Sequence, residues 1–374
     1  MRTVLISGGG IAGAALALLL RRGGFAPVVV ERAPGVRTGG QAVDIRGAAL
    51  DVVDRMGLLP EARRMRTRIR GMSMLDADGR EVERSTEYAL SSGRLDSEDI
   101  ELLREDLVRS LHEHTRDDPA VEYVFGDAIT SLHEHEGGVR VGFAHGPERD
   151  VDLVVGADGQ HSGVRRLAFG PAQDFTRHLG SYLSVFSADN FLGLEDWQVW
   201  LRDGDAGFGI MPVRDNAELR IAFGFESGPL DGDHRDTEWL RRLVVDRLAT
   251  LRWESDRLVK AALEAPDFYC DALAQIRMDQ WSRGRAVLLG DAGYCASPLS
   301  GQGTSLALVG AYVLADALAR TPGDHRTSFA AYETRMRPFV EANQALATEN
   351  PGGPPSEESM TRAKNAITLP GAAR

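Results

Sequence analysis

The sequence predicts an α/β fold in which a mostly parallel sheet carries an inserted antiparallel sheet and helices at the C-terminal end. A strand, a helix and a second strand follow one another over residues 3–31, the length of a parallel βαβ unit. Apolar runs of the same buried type return at Val151–Gly156 and Arg285–Gly290. Between these runs, residues 177–268 alternate apolar and polar side chains, as an antiparallel sheet with one covered face does.

Each predicted element carries a local signal. Thr3–Ser7 is a buried strand, and Ile11–Arg22 is a helix rich in Ala and Leu that ends at Gly23. A hairpin over 71–84 turns at Asp76–Gly79. Amphipathic or apolar helices are predicted at 47–56, 99–115, 237–250 and 303–320, and further strands at 27–31, 121–125, 129–135, 139–143, 182–188, 197–201, 207–212 and 219–225.

Composition and charge argue against several classes of protein, among them nucleic-acid-binding, membrane-spanning and disulfide-rich proteins. The net charge of −12 repels phosphate backbones, so nucleic acid is not an expected partner. The apolar stretch Ala14–Leu20 is far shorter than the roughly 20 residues that span a bilayer. No secretory signal precedes the first strand, so we expect a cytoplasmic protein, a monomer or weak homodimer, without integral membrane association. The two cysteines, Cys270 and Cys295, support neither a disulfide framework nor a metal site, and no metal is expected.

The first strand–helix turn carries a dinucleotide fingerprint, Gly8-x-Gly10-x-x-Gly13. Its glycines allow a tight turn, close approach of a pyrophosphate, and close packing of the helix on the strand. Glu31 ends the second strand, where a carboxylate can bind the hydroxyls of an adenosine ribose. The motif alone fits both NAD and FAD, because both present the same ADP half.

Two later motifs discriminate between these cofactors. Gly156–Arg165 (GADGQHSGVR) follows one buried strand, and Gly290-Asp291-Ala292 follows another and continues to Pro298 and Gly301-Gln302-Gly303. Asp291 can accept hydrogen bonds from ribose or ribitol hydroxyls. The glycine loop opens a second helix, whose N–H groups suit the charge that develops on the N1–O2 edge of a reduced flavin.

Together the three motifs resemble those of the class A FAD-dependent monooxygenases, the aromatic hydroxylase family with the para-hydroxybenzoate hydroxylase fold. The pattern is most similar to the tetracycline-inactivating branch. The resemblance implies a Rossmann-like FAD-binding domain of the GR2 type that holds FAD non-covalently. The FAD-binding residues it implies are Gly8, Gly10, Ala12, Gly13, Glu31, Arg32, Asp44, Arg46, Arg104, Asp158, Asp291, Pro298, Gly301, Gly303 and Thr304. The sequence departs from the family at Tyr294, Ser305 and Gly310, where His, Asn and Asp are common.

The inserted sheet is expected to cover the flavin ring and to select the substrate. We expect the FAD-binding domain to comprise residues 1–72, 95–176 and 269–345, the substrate domain 73–94 and 177–268, and a C-terminal helical segment 346–374. Apolar strand residues usually just pack, so each pocket residue predicted in the sheet has an alternative place in an ordinary core. The predicted pocket residues are Gln198, Trp200, Phe208, Met211, Phe223, Phe225 and Tyr294.

The resemblance implies a flavin monooxygenase that takes a hydride from NADPH or NADH. Through a flavin C4a-hydroperoxide it passes one oxygen atom of O₂ to an aromatic or polycyclic, polyketide-like or antibiotic, molecule. The cofactor carries this chemistry, so no catalytic side chain is expected. Three alternatives remain open: a flavin-dependent epoxidase, a redox-silent FAD-binding cyclase or binding protein of the same fold, and an NAD dehydrogenase.

Overall fold

The computed structural model describes residues 1–233, 235–350 and 353–371. Its strands, in chain order, are β1 (Thr3–Ser7), β2 (Ala26–Glu31), β3 (Ala42–Ile45), β4 (Gly71–Leu75), β5 (Glu81–Ser85), β6 (Tyr88–Ala89), β7 (Gly93–Arg94), β8 (Ile100–Leu103), β9 (Glu122–Phe125), β10 (Ile129–His135), β11 (Gly138–Phe143), β12 (Arg149–Val151), β13 (Leu153–Gly156), β14 (Thr176–Asp189), β15 (Trp197–Asp203), β16 (Ala206–Val213), β17 (Glu218–Glu226), β18 (Tyr269–Ile276), β19 (Ser282–Arg283) and β20 (Ala286–Leu288).

The α-helices are α1 (Ile11–Arg22), α2 (Ala48–Arg55), α3 (Leu59–Arg64), α4 (Arg104–Glu113), α5 (Gly163–Ala168), α6 (Thr237–Leu248), α7 (Ser255–Glu264), α8 (Asp291–Tyr294), α9 (Gly303–Arg320), α10 (His325–Glu349) and α11 (Glu357–Lys364). In the part of the chain that the structure describes, no helix is both long enough and apolar enough to cross a bilayer.

The first sheet is the predicted parallel one, with strand order β19-β20-β13-β1-β2-β9. Its strands pair in parallel except at the β19 edge. They are nearly continuous apolar runs because helices pack on the sheet, and α1 and α9 are buried in the same core as β1 and β13. The three motifs therefore follow β1, β13 and β20, three neighbouring strands whose carboxyl ends meet at one edge.

The second sheet has seven strands in the order β18-β14-β17-β16-β15-β4-β5. The predicted hairpin β4–β5 joins it through a parallel pairing of β4 with β15. At the other edge β18 pairs with β14, so the sheet continues past residue 268, where we expected the chain to return to the first domain. Helices α6 and α7 cover one face of this sheet, and the other face is turned away from them.

The last third of the chain ends in helices, but residue 346, where we expected the C-terminal segment to begin, lies inside α10. Helix α10 contains Pro338 and runs to Glu349, and α11 follows with Ser356 as its N-cap. Of the predicted helical segment 346–374, residues 351–352 and 372–374 lie outside the described residues. Lys364 of α11 forms an ion pair with Asp99 at 2.8 Å, which holds this helix against the loop before β8.

Candidate active site

The fingerprint glycines Gly8 and Gly13 lie where neighbouring backbone leaves no room for a side chain. Gly8 has φ +103°, and a Cβ there would lie 2.5 Å from the Ala157 carbonyl oxygen. A Cβ on Gly13 would lie 1.9 Å from the carbonyl oxygen of Gly8, so only glycine lets α1 start this close to β1. Helix α1 has no side-chain cap, which leaves its first N–H groups and the positive end of its dipole for an anionic ligand.

Glu31 is placed at the end of β2 by two backbone contacts. Its carboxylate accepts hydrogen bonds from the N–H groups of Gly9 at 2.8 Å and Ala33 at 2.9 Å. Both contacts hold the carboxylate beside the glycine loop, at the position expected for ribose binding. The neighbouring Arg32 is exposed.

Arg104 opens α4 and lies beside the same loop. A Cβ on Gly10 would stand 3.6 Å from the Arg104 guanidinium, and a Cβ on Gly40 would stand 3.5 Å from its Cδ. Burial and the nearby Arg37 charge lower the pKa of Arg104, whereas the negative charges of Glu31 and Asp291 oppose that shift. The structure therefore brings Arg104, the fingerprint and Asp291 to one cleft.

The second motif is built around Asp158. Its carboxylate accepts hydrogen bonds from Ser7 Oγ at 3.1 Å and from the Gly163 N–H at 2.9 Å. Arg165, in the same motif, is fully buried and donates to the carbonyl oxygens of Gln160 at 2.6 Å and Ala292 at 2.8 Å. Arg165 thus ties the second motif to the third. Arg165 belongs to the motif Gly156–Arg165, but nothing in the sequence indicated that its side chain would be buried and not solvated.

The third motif ends β20 and opens two helices. Gly290 has φ +64°, and a Cβ there would stand 3.3 Å from Cβ of Ala12, so the small Ala12 lets α1 approach this turn. The Asp291 residue is exposed to solvent. The protein around its carboxyl group still raises the pKa of Asp291, and the Cys295 thiol and the Arg104 charge oppose this rise.

The loop from Pro298 to Gly301 then leads into α9. Gly301 has φ +62° and ends a 3₁₀ turn over Pro298–Ser300. Helix α9 follows with Gly303 and Thr304 in its first turn and has no side-chain cap. Its free N–H groups therefore form a second place for hydrogen-bond acceptors.

Asp44 and Arg46 form a buried ion pair next to this loop. Arg46 Nη2 lies 2.9 Å from Asp44 Oδ2, and the two side chains are 6% and 10% exposed. The Arg46 N–H donates to Ser305 Oγ in the first turn of α9 at 3.1 Å. Burial, with the Glu101 and Asp99 carboxylates nearby, raises the pKa of Asp44 to about 7 despite the Arg46 charge.

The inner face of the seven-stranded sheet contributes Trp200. A Cβ on Gly209 would stand 2.6 Å from the Trp200 ring, so the ring lies across this glycine of the neighbouring strand. Trp200 Nε1 donates to Gln198 Oε1 at 2.9 Å, and Gln198 Nε2 donates to Ser91 Oγ at 2.5 Å. The predicted Gln198 is therefore a buried support for the half-buried Trp200.

The prediction that Phe208, Phe223 and Phe225 line the pocket is wrong. All three lie on the opposite face of the sheet, in a core with Leu240 and Leu258 of α6 and α7. Met211 is on the inner face, where it packs in a small buried cluster. That cluster comprises Leu103, Met211 and Val213, with Ala42 and Ile69 against it.

Tyr294 is not a pocket residue either. It is 1% exposed, and its hydroxyl lies 2.8 Å from that of Tyr332 in α10. The side chain points into the core because Gly310 leaves room: a Cβ on Gly310 would stand 2.2 Å from the Tyr294 hydroxyl. Two departures from the family pattern thus fit each other sterically. Burial raises the pKa of Tyr294 to about 12.

The arrangement suits FAD. The uncapped N-termini of α1 and α9 suit a pyrophosphate and a flavin pyrimidine edge. Glu31 beside the first N-terminus and Asp291 at the start of α8 suit the hydroxyls of a ribose and a ribitol chain. A side chain at Gly8 or Gly13 would clash with the backbone of Ala157 or of Gly8, so only glycine at both positions lets the chain form this tight turn.

Comparisons with known proteins agree with this fit. Residues 1–347 match the family described as FAD binding domain. The chain is 47% identical to the Mycobacterium tuberculosis protein Rv1260, covering 99% of each chain. It is 37% identical to a flavin-dependent monooxygenase of Legionella longbeachae, covering 91% of this chain and 86% of that protein. The crystal structure of tetracycline destructase Tet(51) superposes with a TM-score of 0.89 at 34% identity, covering 99% of this chain and all of the other. The chain therefore belongs to the FAD binding domain family, among its flavin-dependent monooxygenases.

Proposed function

We propose that the protein uses NADPH or NADH and O₂ to hydroxylate an aromatic or polycyclic small molecule held between FAD and the inner face of the seven-stranded sheet. The observation that carries this proposal is the Trp200 ring, which lies across Gly209 on the face turned away from α6 and α7. A flat aromatic wall suits a flat, apolar substrate.

The FAD-binding residues have distinct tasks in this proposal. The N–H groups at the start of α1 bind the pyrophosphate, and Glu31 and Asp291 bind hydroxyls of the ribose and ribitol. Arg104 adds a positive charge beside the fingerprint. When bound, FAD supplies the hydride acceptor and the activation of O₂. Protein side chains orient the substrate and exclude water from the ring.

The substrate class follows from the wall and from the relatives. Next to Trp200 and Gly209 the inner face continues through Ala222 and Val185, which pair across the sheet in one row. Small residues beside one large ring leave room for a molecule of several fused rings. The tetracycline destructases are among the similar proteins, so tetracycline is the first compound to test.

The test is oxidation of NADPH, and separately of NADH, by the purified holoenzyme with and without each compound of a polycyclic panel. A substrate should accelerate the oxidation, and its product should gain one oxygen atom from isotopically labelled O₂. An epoxide product would favour the epoxidase alternative. Bound FAD that NADPH and NADH leave oxidised with every compound would favour the redox-silent alternative.

A further inference from the structure

We propose that Asp44 accepts a proton from a phenolic or enolic hydroxyl of the substrate, and that Glu101, opposite Asp44 on the neighbouring strand, makes Asp44 a stronger base. This inference rests on the proposed function, because it assigns the substrate its hydroxyl. Asp44 is then a catalytic residue and Glu101 a positioning residue.

Two carboxyl groups face each other across one strand pair. Asp44 on β3 is directly opposite Glu101 on β8 in the antiparallel register. Side chains at opposite positions of such a pair lie on one face and are close neighbours. Both are buried: the Asp44 side chain is 10% exposed and Glu101 is 3% exposed. Burial raises the pKa of both carboxyl groups, and the Glu101 charge adds to the rise at Asp44.

Two buried polar atoms of the ion pair lack a hydrogen-bond partner among the described residues. Asp44 Oδ2 accepts from Arg46, but Asp44 Oδ1 and Arg46 Nε are both buried without a hydrogen-bond partner among the residues that the structure describes. Buried polar atoms in proteins are nearly always hydrogen-bonded, so these two indicate a ligand. A hydroxyl meets both requirements, because it can donate to Oδ1 and accept from the Nε–H group.

The ion pair lies between the two halves of the site. On one side, the Arg46 N–H donates to Ser305 Oγ of α9, the helix whose N-terminus suits the flavin. On the other side, Arg46 Nη2 donates to the Ser91 carbonyl oxygen at 3.2 Å, and Ser91 Oγ accepts from Gln198, the support of Trp200. A substrate on the Trp200 wall therefore has the Asp44–Arg46 pair at its edge.

Burial is the largest cause of the raised pKa of Asp44, and the charged groups around it adjust that pKa. Arg46 on its own strand favours the ionised form, whereas Glu101 on β8 and Asp99 in the preceding loop favour the protonated form. Asp99 is itself paired with Lys364 of α11. Burial raises the pKa of Glu101. The Ser91 hydroxyl, the Thr67 hydroxyl at 2.6 Å, and the Arg46 and Arg66 charges oppose that rise.

The proposed step is a balanced proton transfer. The substrate O–H bond breaks with its electron pair left on oxygen, and the proton joins Asp44 Oδ1. A neutral hydroxyl and a carboxylate become an oxyanion and a carboxylic acid, and Arg46 supplies a positive charge beside the oxyanion. The oxyanion makes the ring richer in electrons, which favours transfer of an electrophilic oxygen to it.

The first arm of the test titrates the holoenzyme without substrate by infrared spectroscopy. We expect a protonated-carboxyl band that disappears as pH rises through neutral. It should be absent in Asp44→Asn, and in Glu101→Gln its midpoint should move to lower pH by roughly one unit, because a negative neighbour is gone. An unchanged band in both variants would overturn the proposal. If Asp44→Asn loses flavin or fails to fold, Glu101→Gln still decides by its midpoint.

The second arm uses 4-nitrophenol, whose ionised form absorbs visible light. Just below the pKa of the free probe, the wild-type holoenzyme should bind it with the spectrum of the phenolate. Asp44→Asn should bind it as the neutral phenol, and Asp44→Glu, which keeps a carboxyl, should restore part of the phenolate band. Equal phenolate in wild type and Asp44→Asn, or no binding, would overturn the proposal. Neither arm consumes NADPH, so their failure is separate from failure of the monooxygenase reaction.

Discussion

At the residue scale, single atoms decide whether a position serves the cofactor or the fold. Asp291 and Tyr294 stand three positions apart in one motif, yet the first opens into the cleft and the second is buried against Tyr332. The sequence predicts a cofactor-binding role for Asp291 from its place after a buried strand, and that role stays a prediction. It could not predict the direction of Tyr294, because that depends on the space left by Gly310 in another helix.

Asp291→Ala should weaken FAD binding about tenfold to a hundredfold, the scale of a hydrogen bond between a charged group and a hydroxyl, roughly 1.5–3 kcal/mol. Flavin per chain after dialysis measures this. Asp279→Ala, an exposed aspartate outside the cleft, is the matched control and should keep its flavin. Equal flavin retention in both variants would remove Asp291 from the binding site.

At the element scale, alternation along a strand predicts two faces but does not say which face meets which neighbour. The sequence predicted the strands over residues 177–268 and the aromatic residues that they carry. In the structure these strands all belong to one sheet. The large apolar face packs on α6 and α7, and α7 was not predicted. The wall of the proposed pocket is therefore the face with the smaller residues, marked in the sequence by Gly207, Gly209 and Gly224.

Phe223→Ala should lower the free energy of unfolding by about 3–5 kcal/mol, because Phe223 is fully buried in the core under α6 and α7. The remaining folded protein should bind FAD and turn over normally per flavin. Denaturant unfolding, read beside the flavin spectrum, checks both parts. If the variant were as stable as wild type but turned over poorly, Phe223 would line the substrate pocket and would not be a core residue.

Gly209→Ala should displace Trp200, since the added Cβ would stand 2.6 Å from its ring. We expect weaker stimulation of NADPH oxidation by substrate at unchanged flavin content. Gly228→Ala is the matched control, because nothing lies within 4 Å of the Cβ it would add. If Gly209→Ala and Gly228→Ala had identical kinetics, the position of the Trp200 ring would not matter for substrate-stimulated NADPH oxidation.

At the scale of the whole molecule, one ion network joins the second sheet to the nucleotide side. Glu105 of α4 accepts from Arg214 at 2.6 Å, from Arg220 at 2.9 Å, and from the Gly39 N–H at 2.7 Å. Arg104, the residue before Glu105, lies beside the fingerprint. Local patterns identified the three cofactor motifs because each is continuous in the chain. The network unites three distant segments, around residues 39, 105 and 214–220, so no local pattern could predict it.

We propose that two parts of the molecule divide the work: the motifs after β1, β13 and β20 hold FAD, and the inner face of the second sheet selects the substrate. The most direct measurement compares Trp200→Ala with wild type for flavin per chain and for substrate-stimulated NADPH oxidation per bound flavin. We predict unchanged flavin content and a reduced stimulated rate. Loss of flavin from Trp200→Ala, with a normal stimulated rate in the molecules that keep it, would contradict the claim.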